Sequence, residues 1–161
     1  MNSRHALIVV TLAWVVAAHT SAISAGVQRR GGLPPGDGRE TVVRVCGDCH
    51  DAEQTANSYR SRIEWETLVD DMINRGGNAT DEDKKAIVGY VLRNFGKLNI
   101  NTAAADDIAQ IVDLPAAQAA AVVDYRQKSG EFKALDDLRK VPGIDFAKIQ
   151  ERKDRIGFTG P

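Results

Sequence analysis

Apolar residues along this chain recur at helical rather than strand spacing. Trp65, Leu68, Val69 and Met72 fall at i, i+3, i+4 and i+7, which is one face of a helix. Ser61 and Glu64 stand at its start with the spacing of a capping box, and Gly76-Gly77 supply a stop. A second helix is predicted from Thr80, with Asp81, Glu82 and Asp83 in its first turn, where the helix dipole favours anions. Its inward positions are Ile87, Tyr90, Val91 and Phe95, and Gly96 closes it. From Leu98 the composition shifts to an Ala-rich stretch, with Thr102 as the expected cap and Asp106-Asp107 early in the helix. Two similar units follow, Ile108 to Arg126 and Leu135 to Ile156, joined by Ser129-Gly130-Glu131-Phe132. The pattern predicts an all-α protein.

The start of the chain reads differently. Arg4 and His5 precede an apolar run over 6–18, and small residues follow up to Ala25. Those are the parts of a secretory signal peptide, expected over 1–25 with cleavage after Ala22 or Ala25. The rival is an uncleaved anchor in the inner membrane. Residues 26–38 are dense in Gly and Pro and are expected to form a flexible linker. The expected location is periplasmic, with no membrane span in the mature chain.

Charge and cysteine content narrow the chemistry. Lys and Arg number 21 against 22 Asp and Glu, so bulk charge draws the chain to neither nucleic acid nor an anionic membrane. A hydrophobic share of 43% excludes general disorder. Two cysteines exclude a disulfide scaffold and a four-cysteine zinc site.

Both cysteines lie in Cys46-Gly47-Asp48-Cys49-His50. Two thiols two residues apart can add across the vinyl groups of a haem, and the histidine that follows is then placed as an axial ligand of the iron. A thioredoxin-type redox pair uses the same spacing but expects a βαβ setting, which the helical pattern lacks. A zinc site would need further ligands, and the other histidines, His5 and His19, lie in the expected signal peptide. Met72 is the only methionine after Met1, and it shares a helix face with Trp65. It is the candidate distal ligand, with simple core packing as the alternative.

With Cys46, Cys49 and His50, then Trp65, Met72 and Tyr90-Val91-Leu92, residues 39–97 resemble the short monohaem class I cytochromes c. The resemblance implies one covalent haem c, held by Cys46 and Cys49 and ligated by His50 and Met72. Residues 98–161 resemble the tandem helix-hairpin-helix domain of the competence protein ComEA and its exported relatives. That likeness rests on Leu98-Asn-Ile-Asn-Thr-Ala103, Tyr125-Arg126, Gly130-x-Phe132, Asp137-Leu138 and Val141-Pro-Gly-Ile144. Family hairpins typically read Gly-Ile-Gly, where glycines let backbone amides approach a DNA phosphate. Here the hairpins read Asp113-Leu114-Pro115 and Gly143-Ile144-Asp145, and Pro115 has no amide to donate. Arg152, Lys153 and Arg155 form a basic cluster, which a solvated face also explains.

Together these readings predict a small cytochrome c domain followed by a tandem helix-hairpin-helix domain. The expected function is a non-enzymatic electron carrier, with the C-terminal module docking to a periplasmic or membrane redox enzyme. DNA is disfavoured as a partner on the altered hairpins. The alternative is a DNA-binding or DNA-uptake protein with a structural or sensing haem.

Overall fold

A computed structural model describes residues 32–159. The expected signal peptide and residues 26–31 of the linker lie outside the described residues. Helix α1 spans Arg39–Gly47, a 3-10 turn covers Ala52–Asn57, α2 runs Arg62–Asn74 and α3 Asp81–Phe95. Strand β1, Leu98–Asn99, leads into α4, Ala105–Val112, and α5, Ala116–Ser129. A 3-10 turn over Leu135–Lys140, α6 over Phe146–Glu151, a 3-10 turn over Lys153–Arg155 and β2, Ile156–Gly157, complete the described chain. The protein is mostly helical, as the apolar spacing predicts. Its small departure is a parallel pairing of β1 with β2, Leu98 opposite Ile156.

Local signals set the N-terminal helices. Ser61 Oγ accepts from the Glu64 amide while Glu64 Oε2 accepts from the Ser61 amide at 2.7 Å. Thr80 and Asp83 make the same reciprocal pair at the start of α3, each bond 3.1 Å. Gly76, at φ 121, follows the end of α2. Ion pairs from Arg44 to Asp83 and from Lys84 to Asp70 tie α1 and α2 to α3.

Two expectations fail on local grounds. Thr102 does not cap α4. The Asn99 carbonyl accepts from both the Thr102 and Ala103 amides, closing a turn, and α4 starts after Ala104 with no side-chain cap. Residues 32–38, read as the end of a flexible linker, are fixed against α3. Leu33 is buried, Tyr90 Oη donates to the Pro34 carbonyl at 2.6 Å and Arg93 donates to the Asp37 carbonyl at 2.5 Å.

The stretches on either side of Leu98 share one core, and the described residues 32–159 belong to a single compact unit. Trp65, Tyr90, Leu92, Ile108, Ile111 and Ile149 are all fully buried. Polar links cross the boundary at long sequence separation. Arg62 pairs with Asp107 and donates to Gln110, whose amide donates to the Gly89 carbonyl. Arg155 donates to the Arg93 carbonyl at 2.7 Å and lies over the Tyr59 ring. Gly96 permits close passage of α4, because a Cβ there would sit 2.7 Å from Ile111 Cγ1.

Candidate functional site

Two places carry chemistry: a cavity in the N-terminal half and the edge formed by the two hairpins.

The cavity, about 190 Å³, lies between α1, α2 and α3, with Val45, Trp65, Leu68, Val69, Ile87 and Val91 among its walls. Cys46, His50 and Met72 line it as well, so three of the four residues singled out from the sequence converge on one apolar space. Cys49 is exposed and does not line the cavity; both cysteines are free thiols. Met72 is 37% exposed, which places it at the cavity rim rather than in the core.

Protonation states follow from the surroundings. His50 Nδ1 lies 3.0 Å from the Asp51 carbonyl. A carbonyl only accepts, so Nδ1 is the donor of this bond, and in the neutral ring that leaves the Nε2 lone pair for a metal. Burial pushes the Cys46 thiol above its ordinary pKa. That is opposite to the lowered value of a reactive redox thiolate, and it disfavours the thioredoxin-type alternative. Among the described residues no group of three or more His, Cys, Asp and Glu side chains could hold a metal ion. A haem brings its own equatorial nitrogens and asks the protein only for axial ligands, so the donors present fit that group and not a protein-only metal centre.

The hairpin edge is built from two turns. In the first, Asp113 takes the left-handed conformation, φ 63 and ψ 42, between α4 and α5. Leu114 is buried beneath it, and its amide donates to the Ala109 carbonyl. In the second, Gly143 takes the corresponding left-handed turn, φ 73, ahead of α6. The turns meet. Lys148 Nζ donates to Asp113 Oδ2 at 2.6 Å, and the Asp145 amide donates to Gln118 Oε1 at 3.0 Å. The hydrogen bond that Lys148 donates to Asp113 is the chief reason its pKa is raised. The Asp145 carboxylate accepts from the Ala147 and Lys148 amides at the start of α6.

Neighbouring cations are partly committed elsewhere. Arg139 pairs with Asp136 and stacks on Phe146 at 3.6 Å, and Lys140 pairs with Asp137. Of the basic cluster read from the sequence, Arg155 is a clamp between the two halves, while Lys153 is exposed.

Some anchoring residues entered the sequence reading only as letters of family motifs, or not at all. Asn101 donates to the Phe132 and Phe158 carbonyls and accepts from the Phe132 amide, holding together both ends of the C-terminal half. Arg126 donates to the Ile100 and Ala103 carbonyls. Gln118 and Lys148, which join the hairpins, gain meaning only when the turns are side by side.

Comparison with known proteins bears on the hairpin edge. Residues 93–156 match the family model described as helix-hairpin-helix motif. The chain is 43% identical over 63 residues to an uncharacterised protein of Haemophilus influenzae, covering 38% of this chain and 56% of that one. It is 35% identical over 66 residues to human endonuclease/exonuclease/phosphatase family domain-containing protein 1, covering 41% of this chain and 12% of that one. It is 32% identical over 71 residues to ComE operon protein 1 of Bacillus subtilis, covering 42% of this chain and 35% of that one. The matches thus span little more than half of the first of these relatives and much less of the others. No solved structure matches the chain.

These findings overturn the expectation of an electron carrier. They match the segment read as a mere docking module, both to the helix-hairpin-helix motif and to ComE operon protein 1. Cytochrome, haem iron and electron transport find no support among them. No helix among the described residues is long and apolar enough to cross a membrane. Residues 93–156 carry a helix-hairpin-helix match, on the segment that the sequence likened to the ComEA domain.

Proposed function

We propose that this chain is a non-enzymatic, exported DNA-binding protein that holds the backbone of double-stranded DNA on its hairpin edge, in a role such as DNA uptake. The observation that carries this reading is the helix-hairpin-helix match over residues 93–156, coinciding with two left-handed turns on one edge. Left-handed turns that open into helices present backbone amides outward, and such amides suit phosphate oxygens. Phosphate contact supplies most of the affinity of such surfaces and carries no base specificity. The two carboxylates on the edge weaken that affinity without removing the scaffold.

The N-terminal cavity has a separate part in this reading. Cys46 and Cys49 would hold one haem c by thioethers, and His50 and Met72 would ligate its iron. The group would supply an iron centre in a structural or sensing role. The converging lining of the cavity and the protonated Nδ1 of His50 support that assignment.

Fluorescence anisotropy of the full chain with a labelled duplex, titrated across salt concentrations, tests the DNA reading. Binding should lose affinity with salt at a log–log slope of about −0.9 per phosphate contact, with little difference between duplex sequences. A flat salt response, or no binding at low salt, refutes it.

A further inference from the structure

We infer that Arg60 anchors an acidic group on whatever occupies the N-terminal cavity, so that the site takes an apolar body carrying a carboxylate. This rests on the proposed ligand role of the cavity. Arg60 is in the cavity lining, beside Gln54, Thr55 and Ser58, at a polar margin of an otherwise apolar space. Its Nε is buried and has no hydrogen-bond partner among the described residues. A buried donor on a charged group left unsatisfied costs more than an ordinary hydrogen bond contributes, so such donors are held where a partner arrives.

The surroundings hold Arg60 in place without satisfying it. Its amide donates to the Phe95 carbonyl, and its carbonyl accepts from Lys97, so the backbone is held on both sides. Its guanidinium lies 5.6 Å from the Trp65 ring centroid, and the Trp65 indole N–H is itself committed to the Phe95 carbonyl. The nearest carboxylate in sequence, Glu64, accepts from the Ser61 amide and hydroxyl and makes no ion pair with Arg60. The planar guanidinium matches a carboxylate in geometry as well as charge. Two sources share this chemistry: a haem propionate and the head of a fatty acid.

Two arms separate them. In the first, the full chain is matured with the c-type haem attachment machinery, and the propionate bending mode is read by resonance Raman. Arg60→Met should shift that mode, and Arg60→Lys should restore part of it, with covalent haem retained in all three proteins. In the second, the full chain made without haem is titrated with oleate and with oleyl alcohol. Wild type should prefer the acid by about tenfold, and Arg60→Met should abolish the preference. Haem attachment with an unshifted Raman mode overturns the role of Arg60 while leaving the haem reading intact. Absence of attached haem with a lasting oleate preference supports Arg60 and defeats the haem reading instead. An unfolded Arg60→Met is covered by Arg60→Lys, whose weaker single-point contact should give an intermediate preference. Equal affinity for acid and alcohol in wild type, with no haem attached, overturns the inference.

Discussion

Replacing Asp113 by Gly or Asn should strengthen DNA binding, and the structure indicates by how much. Asp113 is the only non-glycine residue at positive φ among the described residues, and it occupies the turn that Gly143 occupies in the second hairpin. A left-handed conformation costs an L-residue about 1–2 kcal/mol, less for Asp, whose side chain can bond locally. Glycine would relieve that cost but would lose about 0.5–1 kcal/mol through greater freedom in the unfolded chain. The two effects nearly cancel, so the stability of Asp113→Gly should stay close to wild type. The charge change does not cancel. The substitution removes an anion from the phosphate-facing edge and releases Lys148, whose ammonium is now engaged by Asp113 Oδ2. With Asp113 67% exposed in its side chain, the lost ion pair matters little to folding.

One freed lysine adds about one phosphate contact, and the log–log salt slope should steepen by about 0.9. Between 50 and 200 mM salt the variant should therefore lose about 3.5-fold more affinity than wild type does, starting from tighter binding at the low end. Anisotropy with a labelled duplex measures both quantities. Asp113→Asn separates charge from backbone, because Asn keeps a turn-compatible side chain and loses only the charge. It should match Asp113→Gly in slope. Adding Lys148→Gln to either variant should return the slope to the wild-type value. If neither single variant binds more tightly or steepens the slope, the hairpin edge is not where phosphate sits.

Other expected outcomes concern the scaffold. Trp65→Phe removes one of the two donors to the Phe95 carbonyl, 2.9 Å from Trp65 Nε1, and shrinks a fully buried ring, and urea unfolding should show a loss of about 1–3 kcal/mol. Gly96→Ala pushes a methyl into the Leu92 carbonyl and Ile111, and it should cost about 1–3 kcal/mol, with one cooperative transition lost or shifted for the whole described unit rather than for either half. Asp137 is held down to about 2 by Lys140 and by the Lys133 and Ala134 amides. Its folded pKa lies below the ordinary aspartate value near 4, so the stability it contributes is complete above about pH 4 and is lost as pH falls towards 2. Asp137→Asn should thus have a lower urea midpoint than wild type at pH 6, and the gap should close by pH 2; parallel profiles would disprove the assignment.

What could be read directly from the sequence was whatever is encoded within a few residues. The capping box at Ser61, the cap at Thr80, the Trp65 face and the stop at Gly76 are local signals within a few residues, and all are present in the structure. Thr102 failed as a cap because a backbone turn on the Asn99 carbonyl used the amides that a cap would have ordered. The union of the two halves was not legible, because its links join residues far apart: Arg62 to Asp107, Gln110 to Gly89 and Arg155 to Arg93. Arg155 shows the difficulty most clearly. Beside Arg152 and Lys153 it reads as one of three surface cations, yet its guanidinium is spent on a carbonyl and a tyrosine ring in the other half. Arg60 had no sequence signal at all, since its meaning depends on a cavity whose walls come from three helices.

The hairpins explain how the sequence disfavoured DNA while the helix-hairpin-helix match carries the proposal of it. The residues that keep the turns and the core of the matched segment, such as Leu114, Leu138, Val141 and Ile149, are buried here. Affinity for phosphate depends on different atoms, the exposed amides and charges of the edge. Asp is one of the few non-glycine residues that tolerates a left-handed turn, so a carboxylate can enter at Asp113 without dismantling the backbone. Lys148 then pairs with it, which lowers the net repulsion toward a phosphate and leaves a cation that a competing anion can take over. Scaffold and affinity are therefore set by separate residues on the same edge. On the proposed function, the fold predicts where DNA would lie, and the Asp113–Lys148 pair would set how tightly it is held.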